Sequence, residues 1–194
     1  MAVISLFLDS SSQFVYLVLF AGRQVLSQLK AKIGFKHSEQ TPRLIDKLLK
    51  QHHYTWLQVQ RLYLTIGPGY YSGLRVGVAS AKTWGLVHPQ LTVYVLSSLQ
   101  LLAGSTGSKM ACVWVSKSML FYQLFIAGQA QGVAVQTNNS ALKELMKLHN
   151  RFMYTDHEQL SINALVSNFE QLCPNFELVK NLDQLEPNYL RTWL

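Results

Sequence analysis

The sequence predicts an α/β protein built as two lobes, and three observations predict it. Short apolar and β-branched runs alternate with segments of helical period along the whole chain. A Gly-Pro-Gly turn at residues 67–69 joins one such run to a helix rich in small residues. The stretch Gly104-Ser105-Thr106-Gly107-Ser108 is the clearest linker, and it divides the chain into an N-terminal lobe, 1–103, and a smaller C-terminal lobe, 104–194. The terminal segment is a candidate to pack back on the first lobe.

Residues 2–8 are apolar and end in Asp9-Ser10-Ser11-Ser12, a buried strand followed by a tight polar turn. Asp9 could hold a metal through water or cap the turn. With one carboxylate and no partner in sight, the cap is favoured. Residues 14–20 and 24–29, joined through Ala21-Gly22-Arg23, complete a three-stranded meander. The first helix opens within His37-Ser38-Glu39-Gln40-Thr41-Pro42-Arg43, and Leu44, Ile45, Leu48 and Leu49 share one face. Ser38 or Thr41 is the expected N-cap, with Pro42 just after it. His37 reads as a turn or capping residue. His52 and His53 close the helix where cationic side chains suit its dipole. Being adjacent, they cannot both face a metal from one side.

Residues 61–66 form the next strand, and the glycine turn follows. Ser72 is the expected N-cap of a helix over 73–86. The turn is neither a Walker loop nor Gly-x-Gly-x-x-Gly. A phosphate at this helix start is physically reasonable, but nothing in the sequence demands one. Gly73, Gly77, Ala81 and Gly85 recur every four residues as a ridge of small side chains. Two glycines inside a helix cost about 2 kcal/mol relative to alanine. Close packing offsets such a cost, either on the protein's own sheet or against a second helix, within the chain or across an interface. In the second case Arg75 and Lys82 flank the ridge and set its polarity.

A strand at 91–95 and a short helix at 97–103, starting from a serine cap, complete the first lobe. In the second, 110–115, 120–127 and 132–136 read as strands, 139–148 as a helix, 151–154 as a strand and 162–172 as a helix. Ser116-Lys117-Ser118 is a turn. A nucleophile and base there are conceivable, but adjacent residues of a polar turn are usually just solvated.

Hydrophobic residues make up 49% and charged residues only 14% of the 194, so the chain is core-rich and its surface under-charged. Some of that surface is a candidate to be covered by a partner. The net charge of +7 fits a mildly basic protein or a nucleic-acid binder, and no run of five like charges favours the second. Cys112 and Cys173 are isolated, which supports neither a zinc site nor a redox pair and suits buried thiols in a reducing compartment. The apolar start lacks a basic n-region and is broken by Asp9, and no apolar run reaches about 18 residues. A cytoplasmic location without membrane contact is expected.

These residues resemble the TsaB (YeaZ) family of the bacterial tRNA threonylcarbamoyladenosine pathway. Gly67-Pro68-Gly69-Tyr70-Tyr71-Ser72-Gly73-Leu74-Arg75-Val76-Gly77 is similar to the family's GPGSFTGLRVG, with Tyr70-Tyr71-Ser72 in place of Ser-Phe-Thr. His37-Ser38-Glu39 with Leu44-Ile45-Asp46 and Leu48-Leu49 resembles HSExLLPLIDxLL, the proline displaced by one position. Leu8-Asp9-Ser10 looks like the family's first hairpin, and Pro187-Asn188-Tyr189-Leu190-Arg191 its terminal P-x-YLR. The likeness covers most of residues 1–103 and then the C-terminus.

The resemblance implies an actin-like ATPase (ASKHA) fold, two ribonuclease-H-like lobes with mixed sheets flanked by helices. It implies a noncatalytic scaffold or activator that binds TsaD, the paralogue that transfers a threonylcarbamoyl group to adenosine 37 of tRNAs reading ANN codons. TsaD carries a His-x-x-x-His metal pair where this chain has Ser97-Ser98-Leu99-Gln100-Leu101, which offers a cation no ligands. So the resemblance implies no catalytic residue, metal or cofactor for this chain alone, with ATP and metal belonging to TsaD. TsaE is a further expected partner, and tRNA contact is expected to be indirect or weak. The family binds TsaD through its first two helices, and some members form homodimers through the same surface. That places the interface on Leu44, Leu48, Gly73, Arg75, Gly77, Ala81 and Lys82, with Gly67, Pro68, Gly69, Tyr71 and Ser72 as the structural motif loop. The family's Asp-Ala-Arg turn is not evident at Ser116-Lys117-Ser118, so the second lobe's role does not carry over. The alternatives are an ATPase or metallopeptidase-like enzyme of the same superfold, and a direct tRNA binder.

Overall fold

The structure, a computed structural model, describes residues 2–190. Arg191, the last residue of the terminal motif, lies outside the described residues.

A six-stranded sheet runs in the order β11-β5-β4-β1-β2-β3. Its strands are β1 (Ile4–Asp9), β2 (Phe14–Ala21), β3 (Gln24–Lys32), β4 (Arg61–Thr65), β5 (Thr92–Leu96) and β11 (Glu177–Leu178). β1, β4 and β5 are parallel, while β2 runs antiparallel between β1 and β3. The second sheet orders β10 (Met153–Thr155), β6 (Ser108–Trp114), β7 (Met119–Ile126) and β8 (Gln129–Ala130), with β9 (Val135–Asn138) also paired to β7. This is the mixed two-sheet arrangement expected of the actin-like ATPase fold.

β1, β2 and β4 read as continuous apolar runs because helices bury both faces of their sheet. On one face Leu6, Leu8, Leu17, Leu62 and Leu64 pack with Ile45 and Leu48 of α1 (His37–Gln51) and with Val78 and Ala81 of α2 (Tyr71–Val87). On the other, Phe7, Tyr16, Phe20 and Tyr63 meet α3 (Ser98–Ala103) and α5 (Ile162–Leu172). The same cluster continues into Ala111, Val113, Phe121 and Phe125 of the second sheet. α3 and α5 therefore lie between the two sheets, and the main core crosses the linker at 104–108. α4 (Asn139–Leu148) covers the far face of the second sheet through Leu142.

Both helix starts differ from the sequence expectation. α1 begins at His37, its N-cap residue Lys36 makes no side-chain cap, and Ser38 and Thr41 lie within the helix. Pro42 sits inside the helix, on the exposed side. There the missing N–H costs least, because the orphaned carbonyl one turn back faces solvent. α2 begins at Tyr71 with Tyr70 as N-cap, so Ser72 is its second residue and not the cap. Tertiary anchoring replaces the cap: the Tyr70 amide donates to the Ser11 carbonyl at 2.7 Å, and the Tyr70 carbonyl accepts from the Leu74 amide at 3.0 Å. Of the strand expected over 132–136 only Val135 and Gln136 are strand, at the start of β9, and 132–134 are irregular. The terminal segment returns to the first sheet, where β11 pairs with β5.

Candidate functional site

The motif stretch 67–77 is pressed against the β1–β2 turn. Gly67-Pro68 is a cis peptide, and the Gly67 carbonyl accepts from the Ser98 amide at 2.9 Å. A Cβ on Gly69 would lie 2.2 Å from the Ser11 carbonyl oxygen, and one on Gly73 only 1.9 Å from that of Ser10. No side chain fits at either distance, so both glycines serve close backbone approach. The Ser10 hydroxyl then donates to the Gly73 carbonyl at 2.9 Å and locks the helix to the turn.

Asp9 lies at the floor of this turn and is fully buried. Its Oδ1 accepts from the Thr65 hydroxyl at 2.6 Å and from the Ser11 amide at 2.9 Å. Its Oδ2 meets His157 Nε2 at 3.0 Å. Burial alone would raise the pKa of this carboxyl. The charge and hydrogen bond of His157, with the bonds from Thr65 and Ser11, outweigh burial and bring it from 3.8 down to about 2. The cap read from the sequence is present, in the Ser11 amide bond. His157 was not singled out by sequence, and it is the partner that the lone Asp9 lacked there.

Ser11, His157 and Asp9 contain the residue types of a nucleophile relay but not its geometry. Ser11 Oγ lies 3.1 Å from His157 Nε2, the same nitrogen that contacts Asp9. A Ser-His-Asp relay needs the hydroxyl and the carboxylate on opposite ring nitrogens, so that one holds the tautomer while the other takes the proton. Here one nitrogen serves both, and the arrangement is a clasp between β1 and the loop after β10. Tyr16 strengthens it, its hydroxyl donating to the His157 carbonyl and, at 3.3 Å, to that of Leu160. Lys30 Nζ donates to the same two carbonyls at 2.9 and 2.8 Å. Burial, then the charges of Asp9 and Asp156, push the Tyr16 phenol far above its ordinary range, which keeps it a donor.

Beside the clasp lies a cavity of about 270 Å³ between the β1–β2 turn and the β6–β7 turn, lined by Gln13, Tyr70, Trp114 and Lys117 among others. Ser116 closes the second turn by accepting from the Met119 amide at 3.1 Å. Among the described residues no three His, Cys, Asp or Glu side chains converge as a metal site. Cys112 is buried, and burial pushes its thiol up.

The predicted interface residues need correction. Gly73, Gly77 and Ala81 face inward. A Cβ on Gly77 would meet Leu64 Cδ1 at 2.9 Å and Ser10 Oγ at 3.0 Å, and Ala81 is buried in the core. Of the two readings of the ridge, packing on the protein's own sheet is the one realised. The ridge even continues inward at Gly85, against Leu182 of the C-terminal segment. Leu48, 2% exposed, is a core residue, and Leu44 packs against the same core. Lys82 bonds the Asp183 carbonyl and the Glu186 carboxylate, each at 3.0 Å, and so ties α2 to the C-terminal segment. Arg75 is exposed and donates to the Tyr71 hydroxyl at 2.9 Å, while Tyr71 stacks on Tyr189.

The outward stripe of α2 is offset from the ridge and consists of Ser72, Arg75, Ala79, Thr83 and Leu86. Large apolar side chains stand at its ends: Phe35 (66% exposed) and Tyr71 (50%) at one, Leu86 (77%) and Val87 (65%) at the other. The outer face of α1 is different. Four of its charges pair on their own helix, Arg43 with Glu39 at 2.9 Å and Lys50 with Asp46 at 2.7 Å.

A family model described as TsaD, tRNA N6-adenosine threonylcarbamoyltransferase, matches residues 31–116, which contain α1, the motif turn and α2. An uncharacterized MG208 homolog of Mycoplasma pneumoniae is 29% identical, with 96% of this chain and 94% of that protein covered. Uncharacterized protein MG208 of Mycoplasma genitalium is 24% identical over the same shares. Among solved structures, YeaZ from Pseudomonas aeruginosa superposes with a TM-score of 0.73 at 16% identity, covering 96% of this chain and 99% of that one. A second structure, an uncharacterized protein with similarity to peptidase YEAZ from the same organism, gives 0.74 at 16% identity, with 97% and 100% covered. No described helix is long and apolar enough to cross a membrane. The chain matches the TsaD family model over residues 31–116 and shares the fold of YeaZ over nearly its whole length.

Proposed function

We propose that this protein is a noncatalytic scaffold subunit that binds TsaD in the cytoplasm and supports its transfer of the threonylcarbamoyl group to tRNA. The observation that carries the reading is the outward face of α2. It is nearly uncharged, ends in exposed apolar side chains, and lies within the segment that matches the TsaD family model. The large apolar side chains at its ends gain from being covered. The docking surface is then this stripe, with Arg75 kept from the expected interface and Leu86, Val87, Ala79 and Phe35 replacing the inward ridge. A homodimer through the same face is the form the chain takes without its partner.

The clasp supports the noncatalytic part of the reading. Asp9 spends three hydrogen bonds on the fold, and His157 serves Asp9 and Ser11 through one nitrogen. ATP, metal and the direct tRNA contacts are assigned to TsaD, with TsaE joining the complex. Gel filtration of this protein mixed with a cognate TsaD is expected to show a co-eluting complex. Separate elution, with no effect of this protein on tRNA modification by TsaD, would overturn the proposal.

A further inference from the structure

The charge of this protein is unevenly placed. Residues 1–103 carry ten Lys and Arg against three Asp and Glu, while residues 104–194 carry seven basic and seven acidic residues. The whole +7 therefore belongs to the first lobe. Its three acids are already engaged. Asp9 is buried against His157, and Glu39 and Asp46 pair with Arg43 and Lys50. Among the described residues Lys36, Lys47 and Arg75 are exposed and form no ion pair. Lys36 adjoins Phe35, whose ring meets that of Tyr70 at 5.7 Å beside the start of α2. Arg75 is the single charged residue of the outward stripe of α2.

Arg75 is also held in position. Its guanidinium carbon lies 5.3 Å from the centre of the Tyr71 ring, and one N–H donates to the Tyr71 hydroxyl at 2.9 Å. Tyr71 in turn stacks on Tyr189, with ring centres 5.1 Å apart. The C-terminal segment delivers Tyr189 by running back along the flank of α2. Leu182 lies against Gly85, Lys82 holds the Asp183 carbonyl and the Glu186 carboxylate, and the Asn188 amide donates to the Ile66 carbonyl at 2.7 Å. A guanidinium has five N–H donors, so the bond to Tyr71 leaves a donor pair for a carboxylate. An arginine braced in this way has less side-chain freedom to lose on binding.

Resting on the scaffold reading above, we infer that the TsaD surface covering α2 is acidic, and that Arg75 on its Tyr71–Tyr189 bracket takes a carboxylate from it. The exposed Phe35, Tyr71, Leu86 and Val87 on the same helix face suit a protein surface better than a phosphate backbone. Titration calorimetry of the full chain with a cognate TsaD is the test. Wild-type affinity should fall about tenfold between roughly 50 and 300 mM NaCl, because salt screens an attraction between opposite charges. Arg75→Glu should weaken binding about 100-fold and Arg75→Lys about tenfold, since lysine keeps the charge but not the planar fork. Both variants should keep the wild-type thermal midpoint, because the side chain is exposed. In a Tyr189→Ala background the loss caused by Arg75→Lys should shrink, because the fork is no longer braced. An equal loss in both backgrounds would overturn the bracket. Salt-independent binding, or wild-type affinity in a folded Arg75→Glu, would overturn the inference and leave the scaffold reading standing. No binding of wild-type protein at any salt concentration would overturn both. Tight, Arg75-dependent binding of tRNA by this protein alone would assign the charge to RNA and overturn the acidic protein surface.

Discussion

The two faces of α2 teach different lessons although they share one helix. The inward face, Gly73, Gly77, Ala81 and Gly85, has no tolerance for added atoms, because backbone and core side chains of the same chain already occupy the space. The outward face, Ser72, Arg75, Ala79, Thr83 and Leu86, is exposed among the described residues. Small residues on the first face record a contact that has been made. Exposed apolar residues on the second mark a contact still open. A helix can be unusual for reasons of folding on one side and of association on the other, and the two are separable by substitution.

The largest expected effect is on the inward face. Gly73→Ala places a methyl group 1.9 Å from the Ser10 carbonyl oxygen. Backbone cannot yield as a side-chain tip does, so the variant should lose roughly 3 kcal/mol or more of stability, read by urea denaturation, or fail to fold. Gly77→Leu should likewise unfold the lobe, seen by circular dichroism, because Leu64 fills the position. A folded Gly77→Leu with weakened partner binding would return the ridge to the interface.

A middle-sized effect tests the turn on which that face rests. The Asp9 pKa is depressed on folding, from 3.8 to about 2. Its stabilisation is therefore fully present above about pH 4 and is lost as pH falls through about 2. The shift corresponds to about 2 kcal/mol. Denaturation of wild type and Asp9→Asn across pH 2–6 should show a stability gap that narrows below pH 4. A gap that stays constant would mean that the carboxylate charge does not contribute.

The smallest effect on stability belongs to the outward face. Ala79→Glu and Leu86→Asp should leave the unfolding free energy within about 0.5 kcal/mol of wild type. Each should weaken TsaD binding by about tenfold or more in titration calorimetry, since charge in the centre of an apolar contact is left unpaired. Wild-type affinity in both variants would remove the outward stripe from the interface.

Much of the fold was legible because it is written in local pattern. The meander of β1 to β3, the strand before the motif, the short helix after β5 and the helices α4 and α5 follow from apolar runs and helical period. The helix starts were not, because α1 and α2 are fixed by tertiary contacts where the sequence offered serine and threonine caps. β11 has two residues and no pattern of its own, and it exists by pairing with β5. At the site, the glycine motif and Asp9 could be found from residue type and spacing. His157 could not, since 148 positions separate it from Asp9 and a lone histidine carries no signal.

By itself the sequence determined that a strand, a glycine turn and a small-residue helix follow one another, and that the helix has one face made for close contact. Period fixes which residues share a face but holds no information about what that face meets. Only the tertiary structure decided the direction. The Ser10 carbonyl and Leu64 take the inner side, and that turns Arg75, Ala79 and Leu86 outward. Steric exclusion by distant parts of the same chain, which no local propensity encodes, sets which half of α2 is core and which half is free to bind.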